Sequence, residues 1–254
     1  MTNSTAERVA ALLFAFAPGP DGRATDLSVS EVARQIGRER SQVSRMLKSL
    51  QQAGLVEQDP ESRRYRLTWR TRALAASAGD PAVVAAVRPI LQVLVTRTGE
   101  VALLSVQAGN RSLTVLREES NQSLRGGGWV GRASPMHNSA SGRALLFDAD
   151  DETVEALTVQ DLATRTGPRA PKSLDELLDR LREERRQGYT FATEELEVGL
   201  TSFSAPVRNL QGEILAVVNV SGPTARLLDR RDAVAKLLLA ATSHVSNTIS
   251  SRSP

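Results

Sequence analysis

The chain has 254 residues, which favours two domains, and its 41% hydrophobic and 24% charged content excludes disorder, collagen and coiled-coil rods. It contains no cysteine, which excludes disulfides, thiol catalysis and cysteine-ligated metal centres. No apolar run is long enough to span a bilayer, and residues 1–8 do not resemble a secretory leader. We therefore expect a cytoplasmic protein without a membrane partner.

The net charge of +3 is unevenly distributed along the chain. Residues 34–72 carry 10 lysines and arginines against 4 acidic residues. A positive segment of this length indicates a surface that faces nucleic acid. Aromatic residues are only 4% of the chain, which favours a duplex binder over a protein that stacks on single-stranded bases.

The N-terminal segment predicts three short helices. A stripe of apolar residues marks the first helix over 7–17, and PGPDG at 18–22 ends it. The second helix begins at Ser28, which has capping-box spacing to Glu31, and ends at Gly37. Three residues later, SQVSRMLKSLQQAG predicts a third helix. Two helices joined by such a tight turn form a helix-turn-helix motif.

The third helix is predicted to bury its apolar face and to place its polar face in a major groove. That polar face consists of Arg40, Ser41, Gln42, Ser44, Arg45 and Lys48. Two strand-like runs, LVEQ and RYRLTW, flank the turn-rich DPESR and predict a β-hairpin wing. Tyr65 and Leu67 are expected to pack on the helices, while the alternating Arg64 and Arg66 meet a phosphate or the minor groove. Arg63 and Arg64 are the predicted DNA-binding residues of the wing. Solvated arginines, or a winged helix that binds protein instead of DNA, are the alternatives.

The remaining two thirds of the chain predict an α+β domain. Residues 71–80 read as a linker helix that ends near the Gly-Asp-Pro at 79–81. Two hairpins follow, one turning at Gly109–Arg111 and the other around 209–212. A capped helix is predicted over 173–188, and a last long helix over 231–250. Hairpin-connected strands with helices between them argue for a mainly antiparallel sheet.

In this order the motifs resemble the IclR (isocitrate-lyase-regulator) family of bacterial transcription factors. SEVARQIG, SQVSRMLKSLQQAGLV and RYRLT are similar to its DNA-binding half, and VGRASPMHNSASGRALL at 130–146 is similar to its effector-domain motif. GYTFATEELEVGLTSFSAPVRNLQGEILAVVNVSGP at 188–223 is similar to a further family block. The resemblance implies a winged helix-turn-helix domain (1–70), a linker helix (71–80) and a GAF-like effector-binding and oligomerisation domain (81–254).

The resemblance also implies a function and a ligand site. It implies a transcriptional regulator, a repressor rather than an activator, that binds double-stranded operator DNA as a homodimer or tetramer. A small organic effector, such as a carboxylate, amino acid or aromatic acid, is expected to contact Met136, Ser139, Ala140, Ser202, Asn219 and Ser221. Free N–H groups at a helix start would hold a carboxylate. Some relatives have an Asp near the position of Ala192. Because this chain lacks that carboxylate, the resemblance allows an effector that is larger or more apolar.

An enzyme is not expected, and neither is a cofactor or a metal. The only two imidazoles are His137 and His244, and neither lies in a nucleophile elbow or a metal-binding motif. Gly126–Gly128 lacks the lysine of a phosphate-binding loop, so it reads as an ordinary flexible loop. The alternative function is a DNA-binding or protein-interaction winged-helix protein that responds to no effector.

Overall fold

The structure, a computed structural model, describes residues 4–17, 26–75, 78–122, 130–163 and 167–251. The predicted helix breaker at 18–22 and the predicted glycine loop at 126–128 lie outside the described residues. Packing separates two units, Met1–Pro81 and Ala82–Pro254. The assignment of linker function to residues 71–80 stays a prediction.

The described residues of the first unit form four helices and one small sheet. Its helices are α1 (Thr5–Phe14), α2 (Val29–Ile36), α3 (Arg40–Gln52) and α4 (Trp69–Ala75). Strands β1 (Val56–Gln58) and β2 (Tyr65–Leu67) pair antiparallel. Leu27 also bridges to Tyr65, which ties the chain before α2 to the hairpin. The predicted helix-turn-helix and wing are confirmed.

The local patterns explain why these elements form. Ser28 accepts from the backbone N–H of Glu31 while the Glu31 carboxylate accepts from the Ser28 N–H, which is the reciprocal capping box. Gly37 ends α2 with φ 61°, a left-handed conformation that glycine adopts at little cost. The apolar faces of the helices meet in one core with the hairpin: Leu12, Phe16, Val32, Val43, Leu47, Leu50, Val56 and Tyr65.

One detail of the wing prediction is wrong. Tyr65 packs on the helices as expected, but Leu67 is 38% exposed. Strand alternation places both side chains on one face, yet the helical core extends under Tyr65 and not under Leu67. The wing therefore contributes a single aromatic anchor to the core.

The second unit is built on one six-stranded antiparallel sheet with strand order β5-β4-β3-β8-β7-β6. The strands are β3 (Val101–Ala108), β4 (Arg111–Glu118), β5 (Ala133–Pro135), β6 (Thr190–Thr193), β7 (Leu200–Arg208) and β8 (Ile214–Pro223). The two predicted hairpins are β3–β4 and β7–β8, and the β3–β8 pairing joins them at the centre. The predicted α+β class and antiparallel sheet are confirmed.

The two faces of this sheet differ in chemistry. One face is apolar and packs against α5 (Pro81–Thr98) and α10 (Arg231–Ser250) in a core that includes Leu104, Phe203 and Val218. Side chains alternate along a strand, so the neighbours of these core residues lie on the opposite face of the sheet. Asn219, which follows Val218 on β8, is one of them. This second face is therefore partly polar although it is buried.

Helices cover the polar face as well. They are α6 (Ala140–Leu145), α7 (Asp151–Leu162) and α8 (Leu174–Gln187); a further short helix, α9 (Thr224–Leu227), and a 3-10 turn (Leu228–Arg230) precede α10. A second apolar cluster joins α6, α7 and α8 to the sheet through Leu146, Val154, Leu177, Leu181 and Val217. The predicted Ser173 cap is present, but the Glu176 carboxylate accepts from Lys172 N–H and not from Ser173 N–H.

Candidate DNA-binding and effector sites

Helix α3 presents a polar, cationic face to solvent. Its buried side holds Val43, Leu47 and Leu50. Of the predicted DNA-contacting residues on α3, Ser44 is half-buried and the other five are exposed: Arg40, Ser41, Gln42, Arg45 and Lys48. Among the residues that the structure describes, none pairs with the side chains of Arg40, Arg45 or Lys48. These cations are therefore available to phosphates and base edges.

The wing tip is a turn closed by hydrogen bonds to the Asp59 carboxylate. The Asp59 carboxylate accepts hydrogen bonds from the Ser62 N–H at 2.7 Å and from the Glu61 N–H at 3.2 Å. These bonds lower the pKa of Asp59, and the bonds from Ser62 have the largest effect. Arg63 follows with φ 58° and an exposed side chain. The tip therefore projects Arg63 into solvent.

Arg64 has a structural role that the sequence did not indicate. Its Nε donates to the Asp26 carbonyl at 2.9 Å, and its Nη2 bonds the Glu31 carboxylate at 2.8 Å. Bonds from the backbone and side chain of Ser28, followed by the bond from Arg64, lower the Glu31 pKa to about 2. Arg64 thus fastens the wing to the N-terminus of α2.

Arg64→Ala is expected to destabilise the first unit by about 0.5–1.5 kcal/mol, since two hydrogen bonds of a half-exposed guanidinium are lost. Faster amide hydrogen exchange over residues 56–67 would report the loosened wing. Arg66→Ala is the matched control, because among the described residues Arg66 forms its ion pair within the hairpin, with Glu57, and both side chains are about half exposed. Unchanged exchange together with weakened DNA binding would instead assign Arg64 to phosphate contact.

The polar face of the second unit's sheet carries a partly open cavity of about 30 Å³. Strands β3 to β8 and the start of α6 supply its described lining: Leu103, Ser105, Thr114, Arg132, Ser134, Asn138, Ser139, Ala140, Ser141, Ala192, Leu196, Leu200, Ser202, Asn219 and Ser221. Five of the six predicted effector residues, all except Met136, are in this set. The sheet brings them together because Ser202 pairs with Ser221 across β7 and β8, and Asn219 lies two residues before Ser221.

Met136, the sixth predicted effector residue, lies outside this cavity lining. Its side chain is fully buried in the cluster with Leu146 and Leu177, and it does not line the cavity. Its backbone is pressed against α6, since a Cβ on Gly142 would lie 2.5 Å from the Met136 Cα. Met136 therefore positions the loop before α6 through packing.

The polar side chains at the cavity differ in whether they already have hydrogen-bond partners. Ser139 is the N-cap of α6: its Oγ accepts from the Gly142 N–H and donates to the Pro135 carbonyl at 2.6 Å. Ser202 and Ser221 bond each other at 2.9 Å. The Oδ1 atoms of Asn138 and Asn219 have no partner among the described residues, although both side chains are buried.

Arg132, Asn138, Ser105 and Thr114 also line the cavity and were not predicted to do so. Ser105 and Thr114 are buried polar residues on the neighbouring strands β3 and β4, and their hydroxyls lie 3.4 Å apart. A polar residue at a strand position that faces the protein interior is the sequence pattern that could have predicted their place in the lining. Burial lowers the pKa of the Arg132 guanidinium, and Glu197 partly offsets this.

A buried ionic network lies under the start of α6. Arg143 is fully buried; its guanidinium contacts Glu184 of α8 at 2.8 Å, Glu195 after β6, and the carbonyls of His137 and Phe191. Burial lowers the Arg143 pKa, but the carboxylates of Glu184 and Glu195 outweigh it and raise the pKa. Arg143 therefore stays charged and joins α6, α8 and the β6 end.

His137 is buried in the same loop, and neither ring nitrogen has a partner within the described part of the chain. Burial lowers its pKa below 6.5; Asp161 opposes this shift, while Arg143 and Arg111 reinforce it. The folded state therefore favours the neutral ring, and the unfolded chain binds the proton more readily.

Stability is expected to fall as the pH drops below about 6.5, since protons then bind the unfolded state preferentially, by up to about 1.4 kcal/mol per pH unit. His137→Gln should make the slope shallower between pH 7 and 5, measured by urea unfolding at each pH. His244→Gln, at an exposed position on α10, is the control that should keep the wild-type slope. An equal slope in wild type and His137→Gln would contradict this prediction.

Two features are absent from the described residues, a metal-binding cluster and a membrane-spanning helix. No group of three or more His, Cys, Asp or Glu side chains there could hold a metal ion. Among the same residues, no helix combines the length and the apolar character that crossing a bilayer requires.

A winged helix-turn-helix joined to an α+β domain with an internal polar cavity defines a class of DNA-binding regulators that carry a ligand-binding fold. Residues 5–60 match the family model of the IclR helix-turn-helix domain, and residues 76–247 match that of the bacterial transcriptional regulator IclR C-terminal domain. The chain belongs to the IclR family and is a helix-turn-helix transcriptional regulator of that family.

Named relatives and solved structures agree with this assignment. The chain is 29% identical over 210 residues to the HTH-type transcriptional repressor AllR of Salmonella typhimurium, covering 80% of this chain and 75% of AllR. It is 29% identical to the regulator KdgR of Dickeya chrysanthemi, covering 81% and 68%. An IclR homologue from Microbacterium hydrocarbonoxydans, solved with 4-hydroxybenzoate, has the same fold, with TM-score 0.81, 22% identity, and 98% and 100% coverage.

Proposed function

We propose that this protein is a cytoplasmic repressor that binds a palindromic operator as a homodimer, and whose operator affinity changes when a small organic molecule enters the cavity of the second unit. The observation that carries the DNA-binding part is the exposed cationic face of α3, whose Arg40, Arg45 and Lys48 have no partner among the described residues. The repressor role is supported by the AllR relatives.

The wing supplies the second contact in this proposal. Arg63 projects from the wing tip, whereas Arg64 is bound to Asp26 and Glu31. We therefore place the phosphate contact on Arg63, while Arg64 supports the wing behind it. Of the eight predicted DNA-binding residues, Ser44 and Arg64 are the least exposed.

Effector control is supported by the polar cavity and by the ligand of the Microbacterium hydrocarbonoxydans structure. A ligand that controls DNA binding must bind the DNA-competent and incompetent arrangements with different affinities. The helices within residues 71–98 are the proposed transmitter of this change. No catalytic activity is part of this proposal.

An effector-independent regulator is the second candidate, and the size of the cavity favours it. Sites for drug-sized ligands enclose about 300–1,000 Å³, whereas this cavity has about 30 Å³. Effector control therefore requires either a small ligand or movement of the lining.

Selection of sheared genomic DNA on the purified protein, followed by footprinting, tests the DNA-binding proposal. We expect a protected palindrome whose half-sites are separated by about one helical turn or a multiple of it. Repeating the footprint with a mixture of metabolites should change the protection. Uniform retention of all DNA at low salt would overturn operator recognition, and protection insensitive to every metabolite would favour the effector-independent candidate.

A further inference from the structure

A partly open pocket of about 280 Å³ lies beside the polar face of α3 in the first unit. Its lining comes from α1, from the end of α2 with the turn that follows it, and from α3. The described lining residues are Arg8, Ala11, Ile36, Arg38, Gln42, Arg45 and Met46. Gln42 and Arg45 belong to the predicted DNA-binding set, whereas Arg8 and Arg38 do not. The pocket therefore adds two cations from outside α3.

The charges in this pocket all have one sign. Three guanidinium groups line it, and no acidic side chain is among its described lining residues. The side chains of Arg38 and Arg45 have no partner within the described part of the chain. Glu39 directly follows Arg38, but it is not one of the described lining residues. Like charges that share a concave space repel each other, so a bound anion would lower the electrostatic energy of the pocket.

The other lining residues strengthen the attraction for an anion. Ile36 and Met46 are partly buried and pack against the core of the first unit. Apolar walls of this kind have a low dielectric constant and concentrate the field of the arginines. Gln42 adds an amide N–H donor. Guanidinium forks bind the oxygens of a phosphate group through paired hydrogen bonds.

The position of the pocket indicates where the anion comes from. Arg45 belongs both to the pocket lining and to the exposed polar face of α3, so the pocket borders the surface that faces DNA. When a recognition helix lies in a major groove, the phosphates of the two strands lie along its flanks. A backbone phosphate is therefore the anion that this pocket meets in a DNA complex.

We propose that one backbone phosphate of the DNA enters the pocket between α1 and α3 and is held there by Arg8 and Arg38 together. This contact is separate from that of Arg63, because it comes from α1 and from the turn before α3 and not from the wing. The inference rests on the proposed function, since it names a further contact of the same DNA-binding unit.

Binding titrations of the full chain on the footprinted operator and on a scrambled duplex, at several salt concentrations, test this contact. Arg8→Gln and Arg38→Gln are each expected to weaken both duplexes by the same factor, about tenfold, because a phosphate contact carries no sequence information. The double variant should lower the salt slope by about one for each bound protomer, since the two arginines share one phosphate. A decrease of about two would assign each arginine to a phosphate of its own and contradict the shared pocket.

Duplexes that carry a single neutral methylphosphonate locate the phosphate. Neutralising the phosphate that enters the pocket should weaken wild-type binding about tenfold. The same substitution should have little further effect on Arg8→Gln or Arg38→Gln, because the contact is already lost. Both variants are expected to become insensitive at the same position of the duplex, and insensitivity at two different positions would contradict the proposal.

Arg72→Gln is the matched control. Arg72 is an exposed cation of the same unit, is not among the described lining residues, and lies with its guanidinium carbon 6.0 Å from the centre of the Trp69 ring. Its replacement should leave the salt slope unchanged. Arg38→Lys keeps the charge but not the planar fork, so it should retain the salt slope and lose part of the affinity. An unchanged melting temperature of each variant shows that lost affinity does not come from unfolding.

The outcomes separate this inference from the proposed function. Wild-type affinity and salt slope in the double variant would overturn the phosphate contact and leave operator recognition by α3 intact. Failure of the wild-type protein to select any operator would overturn the proposed function, while the scrambled duplex would still test the pocket. Thermal stabilisation by inorganic phosphate that is lost in Arg38→Gln, with DNA affinity unchanged, would assign the pocket to a free anion and also overturn this proposal.

Discussion

Replacing Arg45 by alanine is expected to lower the ratio of specific to non-specific DNA affinity about ten- to a hundredfold. Arg45 is exposed in the middle of the polar face of α3, and no described residue pairs with it. A side chain there reaches base edges when the helix enters the major groove, and a good bidentate base contact contributes about 1–3 kcal/mol of discrimination. Binding titrations on the footprinted operator and on a scrambled duplex, both at several salt concentrations, measure the ratio.

Arg63→Ala is the matched comparison for Arg45→Ala. It removes the same charge from the exposed wing tip, so it should weaken both duplexes equally and reduce the salt slope by about one. The two variants are therefore distinguished by the ratio of operator affinity to scrambled-duplex affinity, and not by the loss of DNA affinity alone. Equal loss on both duplexes in Arg45→Ala would remove its base-reading role.

The second large effect is expected in the buried network. Arg143→Leu should destabilise the second unit by about 3–5 kcal/mol, because it leaves the buried Glu184 carboxylate without its cation and the buried Glu195 carboxylate with Arg180 alone. Urea unfolding measures the loss, and amide hydrogen exchange should place it in α6 and α8. The melting temperature of a unit this size should fall by about 10 °C.

Two controls qualify the Arg143 result. Arg182→Leu on α8 removes an arginine that is 54% exposed and paired with Asp151 and Asp179, so it should cost less than about 1 kcal/mol. Replacing Arg143, Glu184 and Glu195 together by leucine should recover most of the loss, since no unpaired charge then remains buried. A loss in Arg143→Leu no larger than in Arg182→Leu would contradict the central role of the network.

Local patterns in the sequence predicted most of the helices and both hairpins. Capping residues such as Ser28 and Ser173, and glycines such as Gly37, act within a few residues, so their effect is readable along the chain. Helices α7 and α9 and the edge strands β5 and β6 were not predicted. The buried face of α7 includes Thr158 and Asp161, which breaks the apolar stripe on which a helix prediction depends.

The sequence by itself determined that this protein has a helix-turn-helix with a wing, followed by an antiparallel sheet domain, because periodicity and capping are local properties. Only the tertiary structure decided the partners of the buried charges and the cavity lining. Arg64 meets Glu31 across 33 residues, and Arg143 meets Glu184 and Glu195 across 41 and 52. Such contacts depend on how elements pack, and packing placed Met136 in the core and Arg132 at the cavity. No local pattern distinguishes these two positions.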